Sequence, residues 1–202
     1  MPRVAGQIDR AKNEAILDAA SDVIFARGLS APLDEIARRA GVSKQTIYNH
    51  YGSKAALMRA LIARRTALIT APLEAPSADA YPEAALTAYA RALLQTISFE
   101  RGLALFRLLI ESAPRHPELV REVLPGGARG SREALAGFLA REAKAGRLKI
   151  DDAEEAADFF VGMVISHHQL QGLLGFAQEL TPERIERLAG QAARRFLRAY
   201  AP

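Results

Sequence analysis

The sequence predicts an all-α protein. Segments with apolar residues at i, i+3, i+4 and i+7 recur along its 202 residues, and no segment shows the strict apolar–polar alternation of a half-buried strand. Gly and Pro clusters separate these periodic segments at helix-length intervals. Half of the residues are apolar, enough for a sizeable core in one compact helical protein or two closely packed domains.

Taken in order, residues 10–27 place Ile16, Ala19, Ala20, Val23 and Ile24 on one face and predict a first helix. Leu33, Ile36, Ala37 and Ala40 mark a short second helix, with Pro32 suited to its first position and Ser30 to part of its capping. Gly41 stops that helix, because glycine readily takes the left-handed conformation that a helix end often needs, and Val42 plugs the corner. Ser43 reopens the chain as an N-cap, which puts Lys44, Gln45 and Thr46 in the first turn of a third helix. Ile47 and Tyr51 are expected to face Ile36 and Leu57 in the core. From Lys54 a longer helix runs through Leu57, Leu61, Ile62 and Leu68 and is expected to end before Pro72, where the prolines of APLEAPSADAYPE break the pattern. That stretch predicts a boundary between a domain of residues 1–71 and one of residues 72–202.

Further helices are expected over about 82–98, 100–112, 117–124, 131–145, 152–174 and 181–200. Pro114, Pro117, Pro125, Gly126, Gly127 and Gly130 punctuate the middle of this series and predict a bent or broken helix pair. Asp151 or Asp152 followed by Glu154 and Glu155, and Thr181 followed by Pro182 and Glu183, are start signals with the acidic first turn a helix prefers. Residues 159–174 are apolar nearly all round, so that helix must be covered on several sides.

Residues 28–61 thus read as two short helices joined by a tight glycine turn and followed by a third helix start, the organisation of a DNA-binding helix-turn-helix. The stretch GVSKQTIYNHYGSK resembles the recognition motif of the TetR family of bacterial transcriptional regulators, with Gly41, Val42, Ser43, Ile47, Tyr48, His50, Tyr51, Ser53 and Lys54 at the family's specified positions. Where family members commonly carry a Thr followed by Ser or Thr before the second helix, this chain has Leu29-Ser30-Ala31-Pro32 and looks one residue shorter. The resemblance implies a three-helix helix-turn-helix DNA-binding domain followed by a larger helical ligand-binding and dimerisation domain. It also implies a homodimer built through the last two long helices, reading an operator that is an approximate inverted repeat.

Side-chain chemistry distributes the roles. Gln45 can pair with an adenine edge, Thr46 can meet a thymine methyl, and Lys44 can reach guanine or phosphate. Asn49 lies one turn beyond Gln45 on the same helix, within the expected DNA-binding set. Tyr48 and His50 are expected to share a face near the helix end and to bind backbone phosphates, as the family's pattern implies. Ser53 and Lys54 open the next helix, where free amides and the dipole favour a phosphate. Arg3, Arg10 and Lys12 form a basic lead that reaches phosphate, the minor groove or only solvent.

Charge supports the placement. Residues 1–65 hold 11 Lys and Arg against 6 Asp and Glu, whereas residues 66–202 hold 16 against 17, so the basic excess lies wholly in the first part. The absence of cysteine excludes disulfides, zinc fingers and thiol sensing. Neither a long apolar span nor a signal-peptide pattern is seen, and a cytoplasmic location without membrane attachment is expected.

Catalysis finds no residues to carry it. None of His50, His116, His167 and His168 has a glutamate three positions before it, and no phosphate loop, nucleophile elbow or HExxH pattern occurs. No enzyme activity, metal or cofactor is expected. A small-molecule effector, mostly apolar or aromatic, is expected in residues 80–202, with Phe99, Phe106, Leu109, Phe138, Phe159, Met163 and His167 as candidate lining. Helix geometry would turn His167 and Gln171 to one side and His168 elsewhere, leaving pocket, solvent and dimer seam open for each. The function expected from the sequence is a ligand-released repressor. The alternatives are a helical small-molecule carrier with a relict DNA-binding head and, with less support, a catalytic helical bundle.

Overall fold

In the computed structural model the described residues are 5–28, 31–98, 100–115, 117–123, 127–176 and 180–202, and all regular structure among them is helical. The elements are α1 (Ala5–Arg27), α2 (Leu33–Ala40), α3 (Lys44–Tyr51), α4 (Lys54–Glu74), α5 (Pro82–Ser98), α6 (Glu100–Ser112), α7 (Pro117–Val123), α8 (Ala128–Lys144), α9 (Ala153–Ile165), α10 (His168–Leu173) and α11 (Pro182–Ala199). Expectations placed on Arg3, Leu29, Ser30, Phe99, His116, Leu124, Pro125 and Gly126 lie outside the described residues. By backbone contacts the chain forms two compact units, residues 1–64 with 108–124, and residues 65–107 with 125–202.

The first unit is built on the apolar stripes read above. Ile16, Ala20, Val23 and Ile24 of α1, Leu33, Ile36 and Ala37 of α2, Ile47 of α3 and Leu57, Met58 and Ile62 of α4 are all buried. Burying an aliphatic side chain of this size stabilises by about 1.5–3 kcal/mol, so this small core holds three short segments that would not be helical alone. Ion pairs tie its rim: Arg39 to Asp22 at 2.8 Å, Arg27 to Glu35 at 2.8 Å, and Arg64 to Glu14 and Asp18 at 2.8 and 2.9 Å. Pro32 is the N-cap of α2 rather than its first helical residue, and it contributes no side-chain cap. Its extended backbone lets it precede the helix, leaving Leu33 as the first turn's anchor.

The second unit has a single core drawn from α4, α5, α8, α9 and α11. At its centre Phe160 meets Phe196 edge-on at 5.1 Å between ring centres and Tyr89 at 6.2 Å, and all three are wholly buried. The Tyr89 hydroxyl is satisfied by the Ser131 hydroxyl at 2.8 Å, so its polar end costs nothing. Asp152 caps α9 by accepting from the amides of Glu154 and Glu155, and Thr181 caps α11 by accepting from the amide of Arg184.

Two helix limits differ from the sequence reading. α4 runs through Pro72 to Glu74. Proline removes only the bond to the carbonyl four residues back, which belongs to the exposed Leu68, and the loss falls in the last turn. The helix expected over 152–174 is broken instead: α9 ends at Ile165, Ser166 takes a positive φ of 46°, and α10 begins at His168. Contacts distant in sequence hold α10. Arg107 donates to the carbonyls of Gly172 and Leu173, and Leu103 packs so closely that a Cβ on Gly172 would lie 2.7 Å from its methyl.

Candidate nucleic-acid interface

The turn between α2 and α3 is built as its sequence dictates. Gly41 has φ 67°, and its amide and that of Val42 return to the carbonyls of Arg38 and Ala37, closing the end of α2. Ser43 then accepts from the amide of Thr46 at 3.0 Å, and its hydroxyl also pairs with that of Thr46 at 2.8 Å. The first turn of α3 therefore starts from a fixed point.

Around α3, at about 100° per residue, Ile47 and Tyr51 define the inner side. Ile47 is fully buried, while Tyr51 is half-buried and its hydroxyl donates to Asn13 of α1. Gln45 and Asn49 lie near the opposite, outward direction and are linked to each other at 2.7 Å. Thr46 stands beside them. Tyr48 and His50 do not share a face: two residues apart on a regular helix, they stand about 200° from one another and flank the outward residues on opposite sides. Tyr48 and His50 are both exposed, and the His50 ring also meets Tyr51 edge-on at 5.0 Å.

Lys44 leans toward α2, where its ammonium meets the Asp34 carboxylate at 2.9 Å. That hydrogen bond and the opposite charge raise the lysine's pKa. Ser53 caps α4 by accepting from the amide of Ala56 at 3.1 Å. Lys54 points inward: its Nζ donates to the carbonyl of the buried Ala31 at 2.5 Å, and burial lowers its pKa. The sequence alone had no signal for either destination, because both partners lie in another segment. Asp34, at the start of α2, is the residue at this surface that the motif did not mark.

The apolar residues expected to line an effector pocket are spread out. Phe138 is wholly buried in the core of the second unit, and Phe106 is half-buried. Phe159 and Met163 lie on the exposed side of α9, at 57% and 43% exposure, and His167 is exposed at the α9–α10 break, its ring 4.5 Å from that of His168. Leu109 is buried and belongs to the first unit. No helix among the described residues is long and apolar enough to cross a membrane.

Comparison with known proteins agrees with this geometry. Residues 16–61 match the family model described as bacterial regulatory proteins of the tetR family, and residues 84–202 match the AefR-like transcriptional repressor C-terminal domain. The chain is 43% identical over 53 residues to the HTH-type transcriptional regulator SrpR of Pseudomonas putida, a match that covers 26% of this chain and only 25% of that relative. Two solved structures are similar over nearly the whole chain. One, from Mesorhizobium loti, is a TetR-family regulator with TM-score 0.75 and 25% identity, covering 95% of this chain and 97% of the other. The second is named flavonoid-responsive regulator FrrA, with TM-score 0.70, 33% identity and the same coverage of both chains.

Proposed function

The chain belongs to the TetR family of bacterial transcriptional regulators, and we propose that it is a ligand-released repressor acting in the cytoplasm as a homodimer on an inverted-repeat operator. The observation that carries the DNA-reading part is α3 itself. Its capped N-terminal turn and outward side present Gln45, Thr46 and Asn49, while Ile47 anchors the opposite side in the core. Residues of this chemistry on a helix entering the major groove read base edges. Tyr48 and His50, on opposite flanks, take phosphates of the two groove walls and set the helix's depth and tilt. Ser53 and the start of α4 complete the phosphate contacts, and Lys54 supports them from within by fixing the segment before α2.

In this reading residues 1–71 act on DNA and residues 72–202 hold the effector and the dimer contacts. Repression is favoured by the description of the model that matches residues 84–202. Phe159, Met163, Leu170 and Leu174 stand exposed along α9 and α10, an apolar surface that a second copy would cover. An apolar or aromatic effector is consistent with the name of the flavonoid-responsive relative. Such an effector releases DNA by its higher affinity for a dimer whose two reading heads no longer match the operator spacing.

The test is selection of duplexes from a random pool by the purified protein. Recovery of an inverted repeat with half-sites about one helical turn apart is expected. Recovery of no shared sequence at low and moderate salt, repeated after unfolding and refolding to remove any retained ligand, would sink the reading.

A further inference from the structure

At the reading end of α3 the cation nearest the bases is engaged by an acid of the same head. Lys44 and Asp34 meet at 2.9 Å across the α2–α3 turn, their side chains 47% and 69% exposed. The Tyr48 hydroxyl end also acts on Lys44 from one turn further along α3. By helix position Lys44 lies toward α2, away from the outward direction of Gln45 and Asn49. Asp34 sits in the first turn of α2 beside Glu35, which is paired with Arg27 at 2.8 Å.

We propose that Asp34 is a specificity-determining residue that holds Lys44 back from phosphate, so that the head gains little from DNA of arbitrary sequence. This rests on the DNA-reading function proposed above. A lysine with no carboxylate beside it adds the same attraction to every duplex, since phosphates carry no sequence information. Paired to Asp34, it delivers that attraction only when the rest of α3 docks deeply enough to exchange carboxylate for phosphate. An exposed pair of this kind is weak enough to be exchanged. Asp34 thus lowers binding to arbitrary DNA more than binding to the operator.

The experiment compares wild type, Asp34→Asn, Lys44→Gln and the double variant. Binding is measured to the selected operator and to a scrambled duplex of equal length, between about 50 and 200 mM salt. Asn keeps the shape of Asp and removes its charge, and thermal melting checks that each variant is folded. Asp34→Asn is expected to bind the scrambled duplex more tightly than wild type and to narrow the ratio between operator and scrambled affinity. Release of one phosphate contact steepens the salt slope by about 0.9, so the variant's advantage should shrink about threefold across that fourfold change in salt. In the Lys44→Gln background the substitution of Asp34 should have a clearly smaller effect. Unchanged scrambled binding, weaker binding to both duplexes, or the same effect with and without Lys44 would overturn the proposal. Wild type that binds neither duplex at any salt would overturn the DNA-reading function itself, and this inference with it.

Discussion

Substituting Gly41 by Ala isolates the backbone term at the turn that sets α3. Its φ of 67° lies in the left-handed region, and a Cβ built there meets nothing within 4 Å. No clash contributes, so the cost is the dihedral penalty of about 1–2 kcal/mol for an L-residue. Against this stands a gain of about 0.4–1 kcal/mol, because alanine is less free than glycine in the unfolded chain. The net loss is about 1 kcal/mol. If the chain unfolds as one unit, a protein of this size would lose about 2–4 °C in melting temperature. Operator affinity at 25 °C should stay within about twofold, since a loss of about 1 kcal/mol leaves nearly all molecules folded. Thermal melting by circular dichroism and titration of a labelled operator duplex measure the two. Unchanged stability would refute the strained-turn argument. A tenfold loss of DNA binding at unchanged stability would show that Gly41 serves close approach to DNA instead.

Lys54→Ala should lower the melting temperature and weaken binding to operator and scrambled duplex alike, because the Ala31 carbonyl loses its donor and the segment before α2 loosens; normal stability with selective loss of operator binding would contradict this. His168 has its pKa lowered by burial, by His167 and by Arg184, so its neutral form is favoured in the fold. The stability this contributes is complete above the ordinary imidazole value of about 6.5 and is lost as pH falls below it, so wild type should lose more melting temperature than His168→Gln between pH 7.5 and 5.5, about one unit either side of that value. Equal losses would remove His168 from the account. Phe159→Arg places a charge on an exposed side chain and should leave the single chain's fold intact while shifting sedimentation from dimer to monomer; a dimer that persists unchanged would move the interface elsewhere.

What the sequence disclosed and what it concealed divide by the range of the interaction. Ser43, Asp152 and Thr181 are caps whose partners lie two or three residues on, and Gly41 is a turn residue acting on its own backbone; each is visible in a short window. The break at Ser166 is not. The stretch VISHHQLQGLL carries no proline there and no glycine before position 172, and its periodicity continues past the break. Arg107 and Leu103, more than sixty residues earlier, fix α10 in a direction a continuous helix would not take. Lys54 and Lys44 show the same limit at the functional surface. The motif marks both as cations near DNA, but Ala31 and Asp34, which receive them, are brought close only when α2 docks against its neighbours. Placing Tyr48 and His50 on one face was an error of another kind, since the helix period alone separates them.

The same distinction changes how the basic excess of the first 65 residues is read. Of its 11 Lys and Arg, Arg27, Arg39, Lys44 and Arg64 each meet a carboxylate within 2.9 Å, and Lys54 and Arg65 donate to backbone carbonyls. Burial lowers the pKa of Arg65 as it does that of Lys54, a sign that these two charges are spent on structure. A formal count therefore overstates the number of phosphates this head can neutralise. Every paired arginine or lysine that turns to DNA must first leave its carboxylate, and at an exposed pair that costs about 0–1 kcal/mol. Affinity must then come mainly from the polar outward side of α3, the helix N-termini and the few cations that open readily. A head built this way gains specificity by keeping its sequence-independent attraction small, and its salt dependence should report far fewer released counterions than its charge composition implies.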